Sequence, residues 1–204
     1  MSDKKGVPAE FFDAAHAGTP PWEIGRGQDD VKRLAERGGF KGNVLDVGCG
    51  AGHNAIHLAS RGLEVLGVDR VPAVVEKAVA NAAAAGSKAE FKVLDALDLG
   101  KLKKKFDTVL DCGFFHVLSD EQRPKYIKAL EKAIKNKGVL HILCFSDAEP
   151  GTDGPRRIGE RELIELFNMK GWLVEEVGEA RYETNIHPDG ARAWLASFQR
   201  WAKE

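Results

Sequence analysis

Three aspartates and three glycines stand where short apolar runs end and polar chain begins. The first run reads Val44-Leu45-Asp46-Val47 and continues as Gly48-Cys49-Gly50-Ala51-Gly52. Glycine permits a tight turn and lets a ligand approach the backbone closely. A helix amino terminus beyond such a loop offers unpaired N–H groups to a polar ligand. A second run ends Gly67-Val68-Asp69, and a third ends Leu94-Asp95-Ala96. An acid at the end of the second strand of such a unit can accept both ribose hydroxyls of an adenosine. A further strand-end acid suits an exocyclic amine. Together they describe a site for a cationic adenosine ligand without phosphates. A diphosphate site spaces its glycines GxGxxG. Here the third glycine comes one residue sooner, which disfavours a nicotinamide-dependent oxidoreductase. Plainer roles stand beside these. The glycines suit any strand–helix turn, Asp69 suits a cap for the next helix, and Asp95 suits a surface turn.

A second group lies further along. The fourth run ends Leu110-Asp111-Cys112-Gly113-Phe114-Phe115-His116. His116 is the best-placed candidate general base, with Asp111 as an alternative. His116 equally suits a helix cap or a hydrogen-bonded structural role. Phe114 and Phe115 suit either a pocket wall or the core. The stretch from Phe145 to Ile158 is Gly/Pro-rich and long for a strand–helix link, which marks it as a functional candidate. Within it Arg156 and Arg157 suit a fork for an anionic acceptor, or a salt bridge to Glu160 or Glu162. His53 and His57 lie four apart on one helix face, but no third ligand accompanies them, so no metal is expected. Lys101, Lys103, Lys104 and Lys105 read as a solvated turn rather than an RNA contact. His187 reaches a pocket only if the chain end folds over it.

These residues need a sheet to gather them. Strands are expected at Val44–Val47, Leu63–Val68, Phe91–Leu94, Thr108–Leu110 and Val139–Phe145, each an apolar run buried on both faces. Helices are expected at Asn54–Ser60, Pro72–Ala85, Asp120–Lys135 and Glu160–Lys170. Alternation of the two predicts an α/β fold with right-handed crossovers. Trp172–Thr184 and Ala191–Trp201 read as a closing antiparallel hairpin turning at His187-Pro188-Asp189-Gly190. A terminal helix is the alternative for the last segment. Upstream, Ala9–His16 and Asp29–Arg37 look helical.

The glycine loop with its three acids resembles the class I S-adenosylmethionine-dependent methyltransferases, over about Asn43 to Phe145. The resemblance implies a Rossmann-like three-layer sandwich with a seven-stranded, mostly parallel sheet. It places the methionine part of S-adenosylmethionine on the Gly48, Gly50 and Gly52 loop and the ribose on Asp69, with Arg70 beside it. Adenine falls to Asp95 and the Ala96 backbone. Asp46 orients the loop and the donor's ammonium group. Asp111, Cys112 and Gly113 border the methionine end. The segment Thr19-Pro20-Pro21-Trp22-Glu23-Ile24-Gly25-Arg26 resembles the TPWDxGRP-like lid of the thiol, halide and thiopurine methyltransferases and their tellurite-resistance relatives. By that resemblance Trp22 packs on the donor and Arg26 engages a carboxylate. The fragment departs at Gly27-Gln28. The loop after the fifth strand departs as well. It carries Gly154-Pro155-Arg156-Arg157 where the thiol and halide relatives often have Gly-Pro-Pro-aromatic. The Asn/Asp-Pro-Pro-aromatic run of many adenine or glutamine methyltransferases is missing after the fourth strand.

Bulk properties agree with a small-molecule enzyme. The chain has 204 residues, of which 30 are Lys or Arg and 31 are Asp or Glu, for a net charge of -1. That length suits a single domain with a full core. Three parts are expected: a helical lid over 1–42, a donor-binding core over 43–146, and an acceptor-side loop, helix and hairpin over 147–204. Near-neutral charge argues against a nucleic-acid partner or an acidic membrane surface. Cys49, Cys112 and Cys144 show no CxxC or metal spacing and suit reduced thiols in the cytoplasm. The first dozen residues lack the apolar run of a signal peptide or anchor, and no segment reaches the length of a membrane span. The expectation is methyl transfer to a small molecule: first a thiol, halide or related soft nucleophile, second the oxygen or nitrogen of an organic metabolite. A donor-binding protein without turnover is the reading from another class. The oligomeric state stays open, with a monomer compatible.

Overall fold

A computed structural model of the chain describes residues 6–8, 11, 15, 18–168 and 171–202. The expected helix Ala9–His16 lies mostly outside the described residues. Seven strands form one sheet in the order β3-β2-β1-β4-β5-β7-β6. They are β1 (Asn43–Val47), β2 (Glu64–Asp69), β3 (Glu90–Val93), β4 (Phe106–Cys112), β5 (Ile134–Phe145), β6 (Trp172–Thr184) and β7 (His187–Arg200). The helices are α1 (Asp29–Glu36), α2 (His53–Ser60), α3 (Pro72–Ala84), α4 (Gln122–Ala133) and α5 (Glu160–Phe167). The first five strands pair in parallel. β7 pairs antiparallel with both β5 and β6, so the hairpin inserts its second strand between β5 and its first. This is the three-layer sandwich expected, with a strand rather than a helix at the chain end.

The layers follow from side-chain alternation. Val44 and Leu45 are both fully buried, yet they enter different clusters on opposite faces of the sheet. Successive strand residues point to opposite sides, and a sheet covered on both sides needs apolar groups at both. Leu45, Val109 and Leu140 meet Tyr126, Leu130 and Phe167 on the α4–α5 face. Val44, Leu110 and Leu143 meet Leu34, Leu58 and Tyr182 on the α1–α2 face. On the first face Phe167 stacks on Phe198 with ring centroids 4.2 Å apart.

Element limits differ from expectation most clearly at two places. The hairpin turns at Asn185 and Ile186, because Thr184 already pairs with His187. The register then shifts between Tyr182 and Thr184, so a bulge in the ladder absorbs the turn-forming residues Pro188, Asp189 and Gly190. Proline is tolerated there because β7 does not pair with β5 until Ala193. The helix expected over Asp120–Lys135 ends at Ala133, and β5 begins at once at Ile134. Lys137, at φ 64, and Gly138 lie inside that early part of the strand.

Candidate active site

A cavity of about 730 Å³ lies beyond the carboxyl ends of β1, β2, β4 and β5. That is the usual crevice of an open α/β sheet, and the volume is that of a small-molecule site. One end is the glycine loop. Gly48, Gly50 and Gly52 all have positive φ. A Cβ on Gly52 would sit 2.7 Å from the Phe91 ring, so the loop packs down on β3. Gly50, at φ 53, has nothing within 4 Å of its Cβ position and leaves open space in the cavity. Asp69 holds this shape. Its Oδ2 accepts the Gly50 N–H at 3.1 Å, and its Oδ1 accepts the Val71 N–H at 3.0 Å. It makes no cap bond to α3. Each carboxylate oxygen keeps a second lone pair for a ligand. Asp95 accepts the Leu97 N–H at 2.8 Å and caps the 3-10 helix Ala96–Leu102. Arg70, Asp95 and Ala96 line the cavity with Asp69.

Asp46 lies beneath this loop and is 1% exposed. Its Oδ2 has no hydrogen-bond partner among the described residues. Burial pushes its carboxyl up to about 8, and the neighbouring Asp111 adds to the rise. A buried acid with an orphaned oxygen suits a positive ligand, which would ionise and satisfy it. The acids and the open face at Gly50 therefore fit a cationic nucleoside such as S-adenosylmethionine.

The other end is aromatic. The His116 and Phe145 rings meet edge to face at 5.2 Å, and Tyr182 lies 5.6 Å from His116 and 5.5 Å from Phe145. His187 closes the row 5.9 Å from Phe145. Phe114, Trp22 and Ile186 extend this wall. A Cβ on Gly113 would run into the Tyr182 hydroxyl, so glycine is required where that side chain packs on the end of β4. His116 is 4% exposed, and its Nδ1 accepts the Phe145 N–H at 3.0 Å. Neutral imidazole then carries its proton on Nε2. Burial pulls the ring down to about 3, helped by Arg157 and Arg123, so it is neutral at physiological pH. In this geometry His116 is a donor without a free lone pair.

Residues 44–138 match a family model described as a methyltransferase domain. The chain is 34% identical over 188 residues to the 2-heptyl-1-hydroxyquinolin-4(1H)-one methyltransferase of Mycobacteroides abscessus, covering 90% of this chain and 82% of that protein. The chain belongs to the methyltransferase family. This methyltransferase is also 26% identical over 189 residues to a probable thiol methyltransferase 2 of Arabidopsis thaliana, covering 92% of this chain and 81% of the relative. It superposes with a TM-score of 0.86 and 33% identity on a structure from work on the conversion of a disulfide bond into a thioacetal group during echinomycin biosynthesis. That match covers 97% of this chain and 94% of the other. It is an S-adenosylmethionine-dependent enzyme of the class I fold.

The methyltransferase gathers most of the residues singled out by sequence. Trp22, Arg26, Gly48, Gly50, Asp69, Asp95, Cys112, Phe114, His116 and Arg157 all line the one cavity. Five others stand back from it, the first being Asp46, buried beneath the glycine loop. Asp111 is fully buried, and its oxygens accept from the Phe114 and Phe115 N–H groups, both at 3.0 Å, and the Tyr126 hydroxyl at 2.7 Å. It shapes the turn that carries the wall. Burial raises its carboxyl to about 6. Phe115 is a core residue against Tyr126 and Phe167. Gly52, at φ 82, is the N-cap of α2 and not part of the lining. Arg156 pairs with Asp120 and with Glu162 at 2.6 Å. Arg157 faces the cavity, but its guanidinium donates to the Pro155, Asp153 and Pro150 carbonyls and stacks over Phe145. Arg26 pairs with Glu183 and with Asp29 at 2.6 Å. Gln28 exchanges hydrogen bonds with the Glu183 backbone at 2.7 and 2.9 Å. The arm is thus fastened to β6. Tyr182, Thr184 and Gln28 were not expected at the site. The only trace in the sequence is the spacing of Tyr182 and Thr184, which puts both on one strand face.

No helix among the described residues is long and apolar enough to cross a membrane. Among those residues there is also no group of three or more His, Cys, Asp or Glu side chains placed to hold a metal.

Proposed function

We propose that this enzyme methylates a thiol or an acidic hydroxyl on an aromatic or heteroaromatic small molecule. The carrying observation is the row of rings at Phe114, His116, Phe145 and Tyr182, which opens directly onto the glycine loop. A flat apolar acceptor fits between such rings, whereas a bare halide makes no use of them. Two relatives support the same range. One is named for a hydroxyquinolone, the other for thiols.

The bound donor supplies a methyl group already activated on a sulfonium. Asp69 takes the ribose hydroxyls, Asp95 and Ala96 take adenine, and the Gly48–Gly52 loop holds the methionine part. Asp46 answers the positive charge, while Cys112 and Gly113 border the transfer point. The arm at Trp22 and Arg26 acts as the lid. The aromatic row aligns the acceptor for in-line displacement and keeps water out, which is most of what this reaction needs. The His116 Nε2–H orients an acceptor oxygen or sulfur by donating to it.

The reading is tested with S-adenosylmethionine carrying a labelled methyl group and two probes, 2-heptyl-1-hydroxyquinolin-4(1H)-one and thiophenol. Labelled product from at least one of them is expected. Methylation of iodide or bisulfide, with no turnover of any aryl probe, would contradict it.

A further inference from the structure

Three polar groups at the hairpin end of the cavity are not used by methyl transfer itself. Thr184 and His187 face each other across the turn between β6 and β7, and both line the cavity. The Thr184 Oγ lies 2.7 Å from the His187 Nδ1. That oxygen accepts the N–H groups of Ile186 at 3.3 Å and His187 at 3.1 Å. Its lone pairs are engaged, so its hydrogen points to Nδ1 and the ring proton lies on Nε2. Behind Nε2, at 3.5 Å, stands the Oε1 of Glu149, whose side chain is 9% exposed. The other Glu149 oxygen accepts the Arg192 N–H at 2.6 Å, which fixes the carboxylate toward the ring.

We infer that Glu149, His187 and Thr184 form a proton relay, with His187 the general base for hydroxyl acceptors. This rests on the aryl-acceptor reading of the same cavity. An aryl thiol such as thiophenol ionises near neutral pH without help, but a less acidic hydroxyl gains from a base in the transition state. His116 has its acceptor nitrogen occupied, whereas the His187 Nδ1 meets only an exchangeable hydroxyl. As the acceptor docks, its O–H displaces the longer and exposed Ile186 N–H contact from the Thr184 Oγ, and the acceptor proton passes to that oxygen as the Thr184 proton passes to Nδ1. The acceptor oxygen forms the new C–O bond. The methyl–sulfur bond breaks, and its electron pair stays on sulfur as the thioether. The imidazolium is held by Glu149 until it returns its proton to water. The 3.5 Å separation is that of a resting site, and such contacts tighten as charge develops. Arg157, on the Phe145 ring that His187 meets edge-on, is the cation on this side. His116, Tyr182 and Asp153 are the other titratable groups on this part of the wall, and Arg192 lies beyond Glu149.

The test measures pH–rate profiles for the hydroxyquinolone and thiophenol with the full-length wild-type enzyme and with His187→Gln, Thr184→Val and Thr184→Ser. With the hydroxyl probe, His187→Gln and Thr184→Val should lower kcat about 100-fold. His187→Gln should replace the acid limb by a steady rise with hydroxide. Thr184→Ser should return the rate to within a few-fold of wild type. With thiophenol the same variants should lose only a few-fold. Equal losses on both probes, or an acid limb that survives His187→Gln, would overturn the relay. So would a wild-type enzyme that methylates thiophenol but not the hydroxyl probe. A wild-type enzyme inactive on both contradicts the acceptor reading, and the relay falls with it.

Discussion

The donor end of the cavity is built largely from contiguous chain: β1, the glycine loop and the first turn of α2, with Asp69 and Asp95 supplied by the next two strands. The aromatic end draws on four distant segments, around Trp22, Phe114, Phe145 and Tyr182. The first is held by backbone N–H groups on Asp69 and by the fit of Gly52 against Phe91. The second is held by side chains: Asp111 under its turn, the Arg156 pairs on its loop, and Glu183 and Gln28 on the N-terminal arm. A loop fixed by its positive-φ glycines and one carboxylate suits one fixed ligand. A wall held by replaceable side chains can change acceptor without disturbing the donor.

This division is broken most severely at Asp69. Asp69→Ala removes the proposed ribose acceptor and the Gly50 bond together, and charged hydrogen bonds contribute about 1.5–3 kcal/mol each. Calorimetry should show donor affinity lost by about 100-fold. An unchanged affinity would remove Asp69 from the donor site.

Asp46→Asn should act in two directions. Folded Asp46 keeps its proton to about pH 8, whereas an unfolded aspartate loses it near pH 4. The folded state then binds more protons, so this group's contribution to stability falls as pH rises from about 4 through about 8. Asn removes that penalty, and the melting temperature of the donor-free variant should exceed wild type at pH 8 and approach it near pH 4. Donor affinity should fall roughly 10-fold, by loss of a charge-assisted contact. His116 works the other way. It stays neutral when folded down to about 3, so its contribution is full above about 6.5 and is lost as pH falls toward 3.

Tyr182→Ala sharpens the comparison from the acceptor side. It removes a ring from the row and the hydroxyl over Gly113. The acceptor KM should rise roughly 10-fold while donor affinity in calorimetry stays within two-fold. Equal losses of both would mean that the two ends are not separable. The smallest effect is expected where the Arg26–Glu183 pair fastens the N-terminal arm. The Arg26 side chain is 46% exposed, and exposed pairs contribute little. Glu183→Gln should raise the KM for either substrate only a few-fold, and the change should shrink further in high salt.

The same contrast explains what could be read in advance. The donor end was legible because its signals are local: glycines at alternate positions after an apolar run, then acids at successive strand ends. The aromatic end depends on strand order. β7 lies between β5 and β6, and that neighbour relation brings Tyr182 to His116 and Phe145. No spacing records it. The His187–Gly190 segment has strong turn chemistry, yet the ladder absorbs it as a bulge, and so His187 faces the cavity from a strand. Arg156 and Arg157 are adjacent in sequence but diverge, one to Glu162 and the other onto its own loop. Asp111 looked like a base because it ends β4, and the backbone turn it must hold is visible only in three dimensions.

In the proposed reaction one cavity brings a sulfonium donor to an aryl nucleophile. The most direct measurement is mass spectrometry of single-turnover mixtures containing S-adenosylmethionine with a deuterated methyl group and the two aryl probes. The expected result is an acceptor that gains the whole labelled methyl group, in equal amount to the S-adenosylhomocysteine formed. Tight donor binding with no label on either probe, under conditions where iodide or bisulfide is methylated, would contradict it.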